Sequence, residues 1–452
     1  MPHQKNGYES AQTALPDILL SATIFYLDTH RHPELSGCEE RTAREFGVRL
    51  RSEGYEVTTG IGGHGVAGVL RNGDGPVVLL RAELDALPVE ERTGLAYASS
   101  VTVPGPDGGR IPVMHACGHD LHLAAAAGAA ALLARSADRW RGTLMVVGQP
   151  AEETLSGARA MLEDGLYTRC AAPDVVLAQH AAPFPSGLVA HGAGPLMAGS
   201  VSLEIVVHGR GGHAATAHLA VDPVLTAAAV VLRLQGVVSQ ETAPAEPVTL
   251  TVGSLHAGTS VNVVPERATL GLTVRGFSEA VLDRMTNAVR RIVRAECAAS
   301  GCEKDPDIRV VSRSPVNAPD PSASAVVRAA HEAHFGARRV ATSPPSMATE
   351  DFPLYGDAGH SLHGRSGVTS AYWMLGCAAP PPAAGPVPPE RDREHGPPPN
   401  HSPRFAPYVR TALPTGISAL TVAALAHLDA RRPPCGVGQR HPGSDPGPGL
   451  RG

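Results

Sequence analysis

The sequence predicts a layered α/β domain with a largely parallel sheet, interrupted by an inserted ferredoxin-like α+β (βαββαβ) unit. Three observations carry that expectation. Between about positions 40 and 200, short apolar runs alternate with longer helical stretches, the rhythm of strands joined by helical crossovers. From 199 to 314 the order becomes strand, helix, strand, strand, helix, strand, which is the split βαβ arrangement. Helix and strand patterns then resume. The chain therefore divides into the first part of one domain (1–198), an insertion (199–314), a second part (315–430) and a tail (431–452) whose Pro- and Gly-rich composition predicts disorder.

PVVLLRAELD (76–85), GTLMVVGQPAEE (142–153) and DVVLAQHAA (174–182) are short, apolar and Val/Leu-rich, as strands buried on both faces are. Each carries polar residues at its C-terminal end, where ligands gather in sheets of this kind. Between them, LHLAAAAGAAALLARSADRW (121–140) and SGARAMLEDGL (156–166) read as helices. In the insertion, VSLEIVVHG, PVTLTVGSLH, RATLGLTVRGF and DIRVVSRS read as strands. VDPVLTAAAVVLRLQGVVSQ and SEAVLDRMTNAVRRIVRAECAAS read as its helices. The Pro-rich stretch 377–400 reads as an extended loop.

Composition excludes several classes. The 452 residues suffice for two domains, and aromatics at 4% leave the core to Ala, Val and Leu. A formal charge of −5 gives no basic surface for nucleic acid or anionic membrane. No basic segment followed by an apolar run opens the chain, and no uninterrupted apolar run reaches the ~18 residues of a membrane span. Seven irregularly spaced cysteines do not form a disulfide framework, so a reducing cytoplasmic setting is expected.

The strongest local pattern is MHACGHDLH (114–122). Cys117 and His119, a thiolate and an imidazole two residues apart, can face one metal ion. The plainer alternative is a polar helix start, with Asp120 capping and His119 and His122 solvated. Glu152 and Glu153 end an apolar strand, where adjacent carboxylates repel unless cations or protons intervene. One can bind metal while the other moves protons; a solvated strand end is the alternative. His180 closes DVVLAQH and His401 opens HSPRF. Together with Cys117, His119 and Glu153 they make five donors, enough for two cation sites that share a bridging ligand. Asp85, after a buried strand, can orient a ligand imidazole or simply form a turn. GRGGHAATAH (209–218) matches neither GxGxxG nor a P-loop and reads as a glycine turn presenting His213. Arg275, in LTVRGF, suits a substrate carboxylate through its planar fork, or is a surface ion-pair partner; Asn262 lies in the same unit.

Taken in order, HRHPELSG, RAELDALP, MHACGHD, QPAEE, QHAAPFPSG, GRGGHAA, SVNVVPE, MATEDF and HSPRF resemble the metal-dependent aminoacylase/hippurate hydrolase family. That family includes the indole-acetyl–amino acid hydrolases and belongs with the carboxypeptidase-G-like peptidases. The resemblance implies a dinuclear amidohydrolase cleaving N-acyl amino acids with two divalent ions (Zn²⁺, Mn²⁺, Co²⁺ or Ni²⁺). It implies Cys117 as the bridge, with His119 and His180 completing one site and Glu153 and His401 the other. Glu152 matches the general base, and Asp85 the carboxylate behind a ligand. His213 matches a lid histidine that reaches the substrate across a homodimer formed through the insertion. Asn262 and Arg275 match substrate-binding residues, and Glu350 a supporting carboxylate. Departures are Glu83 where the family usually has Asp, Thr216–Ala217 before His218, a longer Pro-rich loop before His401, and Val409–Arg410 after HSPRF. The competing readings are a dipeptidase or aminopeptidase on the same scaffold, for which no acidic partner of a substrate amine is identified, and a catalytically silent metal-bound binding protein, against which Glu152 argues. A redox protein using Cys117 lacks a nearby resolving cysteine.

Overall fold

The computed structural model of the chain describes residues 11–380 and 396–428. Helices α1 (Ala11–Arg31) and α2 (Glu40–Ser52) precede strands β1 (Glu56–Ile61), β2 (Gly65–Asn72) and β3 (Val77–Glu83). A two-stranded hairpin, β4 (Thr102–Pro104) and β5 (Arg110–Pro112), leads to α3 (His119–Arg135), β6 (Gly142–Gln149), α4 (Gly157–Glu163), α5 (Leu166–Arg169), β7 (Val175–Pro185) and β8 (Val189–Gly192). After the insertion come α8 (Pro321–Phe335), β15 (Val340–Ser343), β16 (Thr369–Ala378) and α9 (Val409–Leu428).

The larger sheet has eight strands in the order β1-β2-β6-β3-β7-β16-β8-β15. Its central ladder β6-β3-β7-β16 is parallel throughout, with Glu83 opposite Gln149 and Met374 opposite His180. Parallel strands end on the same edge, so the polar residues that follow β3 and β6 converge there with His180, which lies inside the longer β7. Antiparallel pairing appears only towards the margins, at β1–β2, β2–β6 and β16–β8.

Helix α3 is apolar on nearly all sides and is buried accordingly, with Ala124, Ala125, Ala126, Ala129 and Ala130 at 0–1% exposure. Small side chains on every face let α1 and α9 pack directly against it. The opposite face of the sheet is covered by a second cluster that includes Met161, Leu166, Phe352 and Tyr355.

The insertion contains β9 (Gly199–His208), β10 (Gly212–His213), α6 (Pro223–Glu241), β11 (Val248–Ala257), β12 (Val263–Val264), β13 (Arg267–Gly276), α7 (Glu279–Ala299) and β14 (Asp307–Ser314). Its four-stranded sheet, β11-β13-β9-β14, is antiparallel throughout. Alternating burial along β9 and β13 points Val201, Leu203, Ile205, Leu270, Leu272 and Val274 at α6 and α7. Asp222 and Ser278 cap the two helices, accepting hydrogen bonds from the backbone N–H of Val224 and Val281.

Several elements differ from the sequence expectation. The helix read over 121–140 starts at His119 and ends at Arg135, because the chain must turn to bury Trp140, whose Nε1 donates to the Leu133 carbonyl (3.0 Å). Cys377 and Ala378, assigned by their Pro-rich context to a loop, complete β16. Asn400 at the other end of that stretch is half-buried and bonded; residues 381–395 and the tail 431–452 lie outside the described residues. Pro223–Glu241 and Val409–Leu428 are long and apolar enough to cross a bilayer by length and composition, which a search for uninterrupted runs misses. The second is a core helix on α3, and the first lays one face on the inserted sheet.

One buried pair sets an acid limit. His191 Nε2 and His331 Nδ1 are 3.0 Å apart, and His331 Nε2 donates to the Ala419 carbonyl (3.0 Å). Burial lowers His191 to about 4 and, with His191 beside it, His331 to about 3, from an ordinary 6.5. Both are neutral when folded, while the unfolded chain takes up protons below about 6.5. Their contribution is therefore complete above that pH and is lost as pH falls towards 4 and 3. The double variant H191L/H331L is expected to lose less stability than the parent between pH 6.5 and 4 in urea titrations. Parallel pH profiles for the two proteins would refute the assignment.

Candidate active site

The site is built on strand ends by a backbone under constraint. After β6 the chain turns through Ala151 (φ 49°) and Leu155 (φ 54°), both in the left-handed region. Gly157 closes the turn: a Cβ there would lie 1.6 Å from the Pro150 carbonyl oxygen. Glu39 Oε1 accepts the Ala151 N–H (2.8 Å), and Asp85 Oδ2 accepts the Glu153 N–H (2.9 Å), fixing both glutamates. On the other side, Gly118 (φ 84°) opens α3 with no side-chain cap, so His119 enters the helix pointing into the site.

Five donors meet there. Cys117, His119 and His180 present ligand atoms mutually within 4.8 Å, and so do Cys117, Glu153 and His401. Cys117 belongs to both groups, and its Sγ is 3.5 Å from His180 Nε2. His119 Nδ1 donates towards the Asp85 carbonyl (2.9 Å) and Oδ1 (3.2 Å), which turns its Nε2 inward without a partner. His180 Nδ1 is engaged by the Ala181 carbonyl (2.9 Å), leaving Nε2 for the cluster. Glu153 Oε1 is likewise buried and unpartnered, while Oε2 is 3.4 Å from His401 Nε2. His401 itself sits at φ 68°, anchored by its N–H to the Ala116 carbonyl (2.8 Å). A soft thiolate, imidazole nitrogens and a carboxylate, with orphaned buried lone pairs aimed at one point, fit a pair of borderline divalent cations.

Glu152 stands beside this group, 5% exposed, with Oε2 3.6 Å from His119 Nε2. Burial, then the neighbouring carboxylates of Glu350 and Glu153, hold its pKa well above the carboxylate range. Burial also raises Glu153, to about 7. Burial and the nearby His122 pull His180 down to about 3, keeping it neutral and able to donate a lone pair.

The turn-forming alternative for Asp85 fails: it is a fully buried carboxylate held by Ser36 Oγ (2.7 Å), Glu153 N–H and His119. The solvated alternative for the HDLH segment fails as well. Asp120 Oδ2 is 2.6 Å from His30 Nδ1, and His122 is buried between Glu83 Oε2 (2.8 Å from Nδ1) and the Ala181 N–H (2.7 Å to Nε2). With both nitrogens engaged, His122 supports β7 and offers no lone pair to a metal. The longer Glu83 side chain also pairs with Arg81.

Behind Glu152 lies a charge cluster that the motifs only hinted at. Arg81 is fully buried and donates to Gln149 Oε1 (2.8 Å), Glu350 Oε1 (2.7 Å) and Asp351 Oδ1 (3.2 Å), as well as to Glu83. Tyr372 Oη donates to Glu350 Oε2 (2.8 Å), which ties Glu350 into the same cluster. An arginine in the middle of a buried strand was the available clue. Asn400 was missed altogether: its Nδ2 donates to the carbonyls of Cys117 (3.2 Å) and Ala181 (3.0 Å) and lies 3.8 Å from Cys117 Sγ.

A cavity of about 750 Å³ opens over the donors, lined by Cys117, Glu152, Glu153, His180 and His401, with Phe184, Met197 and Met374 as apolar wall and Arg275 on the inserted unit's side. Arg275 Nη1 donates to the Met347 carbonyl (2.8 Å). His213 and Asn262 are not brought in. They are exposed neighbours on the β10–β12 ribbon, where the Ala214 N–H meets the Asn262 carbonyl (3.0 Å), and neither lines the cavity.

A family model described as peptidase family M20/M25/M40 matches residues 79–378, well over half the chain. The chain belongs to this M20 family. The M20 chain is similar to thermostable carboxypeptidase 1 of Saccharolobus solfataricus, at 36% identity over 281 residues, covering 61% of this chain and 68% of that one. It is also similar to the hippurate hydrolase of Campylobacter jejuni, at 34% identity over 329 residues, covering 72% and 82%. Among solved structures it resembles a dinuclear metal-binding peptidase of the M20 family from Bacillus subtilis, with a TM-score of 0.69 and 26% identity over 91% of this chain and 99% of that one. As an M20 member it is a hydrolase of amide bonds.

Proposed function

We propose that this chain is a dinuclear metal-dependent amidohydrolase that removes the acyl group from N-acyl amino acids. One observation carries the reading: two donor groups share Cys117, with a buried carboxyl, Glu152, 3.6 Å from the ligand nitrogen of His119. Cys117, His119 and His180 would hold one cation and Cys117, Glu153 and His401 the other. Bound divalent ions would polarise the amide carbonyl and lower the pKa of the attacking water. Glu152 takes the proton of that water and delivers it to the departing amine nitrogen. Asp85 keeps His119 in the tautomer whose Nε2 faces the site. Arg275 receives the amino-acid carboxylate, and the apolar wall of Phe184, Met197 and Met374 receives the acyl group. The hippurate hydrolase relative is consistent with such a substrate.

Among the described residues, Glu152 and Glu153 are the carboxylates that line the cavity, and both have roles. No third described carboxylate lines the cavity to pair with the ammonium of a free dipeptide, which supports an acylated nitrogen over the dipeptidase reading. Exposed His213 and Asn262, with Val261 fully exposed beside them and Leu225 and Leu232 exposed on α6, support a homodimer in which a second copy supplies the two polar residues to this cavity. The test loads the protein with Zn²⁺, Mn²⁺, Co²⁺ or Ni²⁺ and assays N-acetyl, N-benzoyl and indole-acetyl amino acids against free dipeptides. Acylated substrates are expected to be preferred at least about tenfold in kcat/KM, the worth of one unpaired buried charge. Preference for free dipeptides would replace the reading. Mixing inactive H213A with inactive E152A should restore activity in mixed dimers; no recovery would remove His213 from the partner's site.

A further inference from the structure

The C-terminus of α7 carries a feature unrelated to the cavity donors. The Cys302 N–H donates to the Cys297 carbonyl (3.0 Å), and the Gly301 N–H donates to the Ala298 carbonyl (3.1 Å). Gly301 supplies the left-handed residue, at φ 75°. These two bonds around a left-handed glycine define a Schellman cap, in which the residue two past the cap folds back onto the third-last helical residue. Here both of those residues are cysteines. Cys297 is buried at 3%, and half-buried Cys302 packs against the same inserted-unit cluster. Both are free thiols.

We propose that Cys297 and Cys302 form a reversible dithiol–disulfide couple that staples the helix end to the turn leading into β14. The direct hydrogen bond between their main chains (3.0 Å) holds the two residues together, as a disulfide with its Cα separation of roughly 4.4–6.8 Å requires. The two sulfurs differ in character. Burial, with Cys302 beside it, pushes the Cys297 thiol up to about 12, so the half-exposed Cys302 is the attacking sulfur. Its thiolate displaces one glutathione thiolate from oxidised glutathione, giving a mixed disulfide. Cys297 then gives up its proton and attacks the Cys302 sulfur, releasing the second glutathione. Two protein thiols are oxidised and one glutathione disulfide is reduced.

The staple lies in a connected place. Glu303, next to Cys302, pairs with Arg210 at the start of the loop carrying His213. Asp307 opens β14 and pairs with His208 and Lys304, and further along the same strand Val311 and Ser312 line the cavity.

The test incubates the native full chain with oxidised glutathione, quenches free thiols and analyses tryptic peptides. Both cysteines fall in one peptide, AECAASGCEK (295–304). This peptide is expected to lose two hydrogens, to carry no glutathione, and to return to the dithiol on reduction. The variant C297S should instead retain glutathione on Cys302, because the resolving sulfur is gone. Stable glutathione on Cys302 in the parent protein, or an unmodified peptide under conditions that oxidise exposed Cys38, would overturn the proposal.

Discussion

E152Q is expected to bind its full complement of divalent metal and to lose about 10²–10⁴-fold in kcat, with KM changed far less. Glutamine is nearly isosteric and keeps the hydrogen-bonding shape of the side chain, but it cannot accept and release a proton. The five donors surround Glu152 without depending on it, since Cys117 lies in both groups and Glu152 in neither. Burial first, and then the neighbouring carboxylates of Glu350 and Glu153, raise the proton affinity of Glu152, which suits a group that takes the water's proton and must retain it until the amine leaves. C117S is the counterpart: losing the shared thiolate should lower metal stoichiometry measured by atomic emission. Full turnover by metal-loaded E152Q would show that another group carries the proton. Unchanged two-metal occupancy in C117S would remove the thiol from the centre.

R81M is expected to destabilise the fold by about 3–5 kcal/mol in urea denaturation at neutral pH. Arg81 is the cation at the centre of Glu83, Glu350 and Asp351, all with side chains at 0% exposure. Burial lowers its pKa, but Glu350, then Glu83 and Asp351, hold it well above the usual value. Removing it leaves carboxylates facing each other in a dry interior. Methionine matches the length but returns neither charge nor the hydrogen bonds to Gln149 and Glu350. R81K should fall between, keeping the charge but losing the planar fork that reaches several acceptors at once. A loss below about 1 kcal/mol in R81M would mean that the cluster is compensated by protonation rather than by this guanidinium.

Much of the site was legible along the chain because strand ends carry its residues. Glu152 and Glu153 follow the apolar run of β6, while His180, expected to close its strand, lies inside the longer β7 two residues beyond its last pairing with β3, which still sets it on the same edge. Cys117 and His119 were legible through their spacing at a helix start. His122 was not: on sequence it is a further histidine in a metal-binding segment, but Glu83 and the Ala181 N–H occupy both its nitrogens. Asn400 was hidden by its setting in a Pro-rich stretch, and its role depends on Cys117 and Ala181, each more than 200 positions away. Arg81 could be seen as anomalous in a buried strand, yet its partners Glu350 and Asp351 lie about 270 positions distant.

By itself the sequence determined the two architectures and the donor types, because period, capping and strand-end polarity are local properties of the chain. Only the tertiary structure decided which lone pairs are free, since that depends on who occupies the opposite nitrogen or oxygen. It also decided that His213 and Asn262 stand outside the cavity of their own chain while Arg275 lines it. Those outcomes follow from how two separately packed sheets face each other, and no pattern of neighbouring residues encodes that distance.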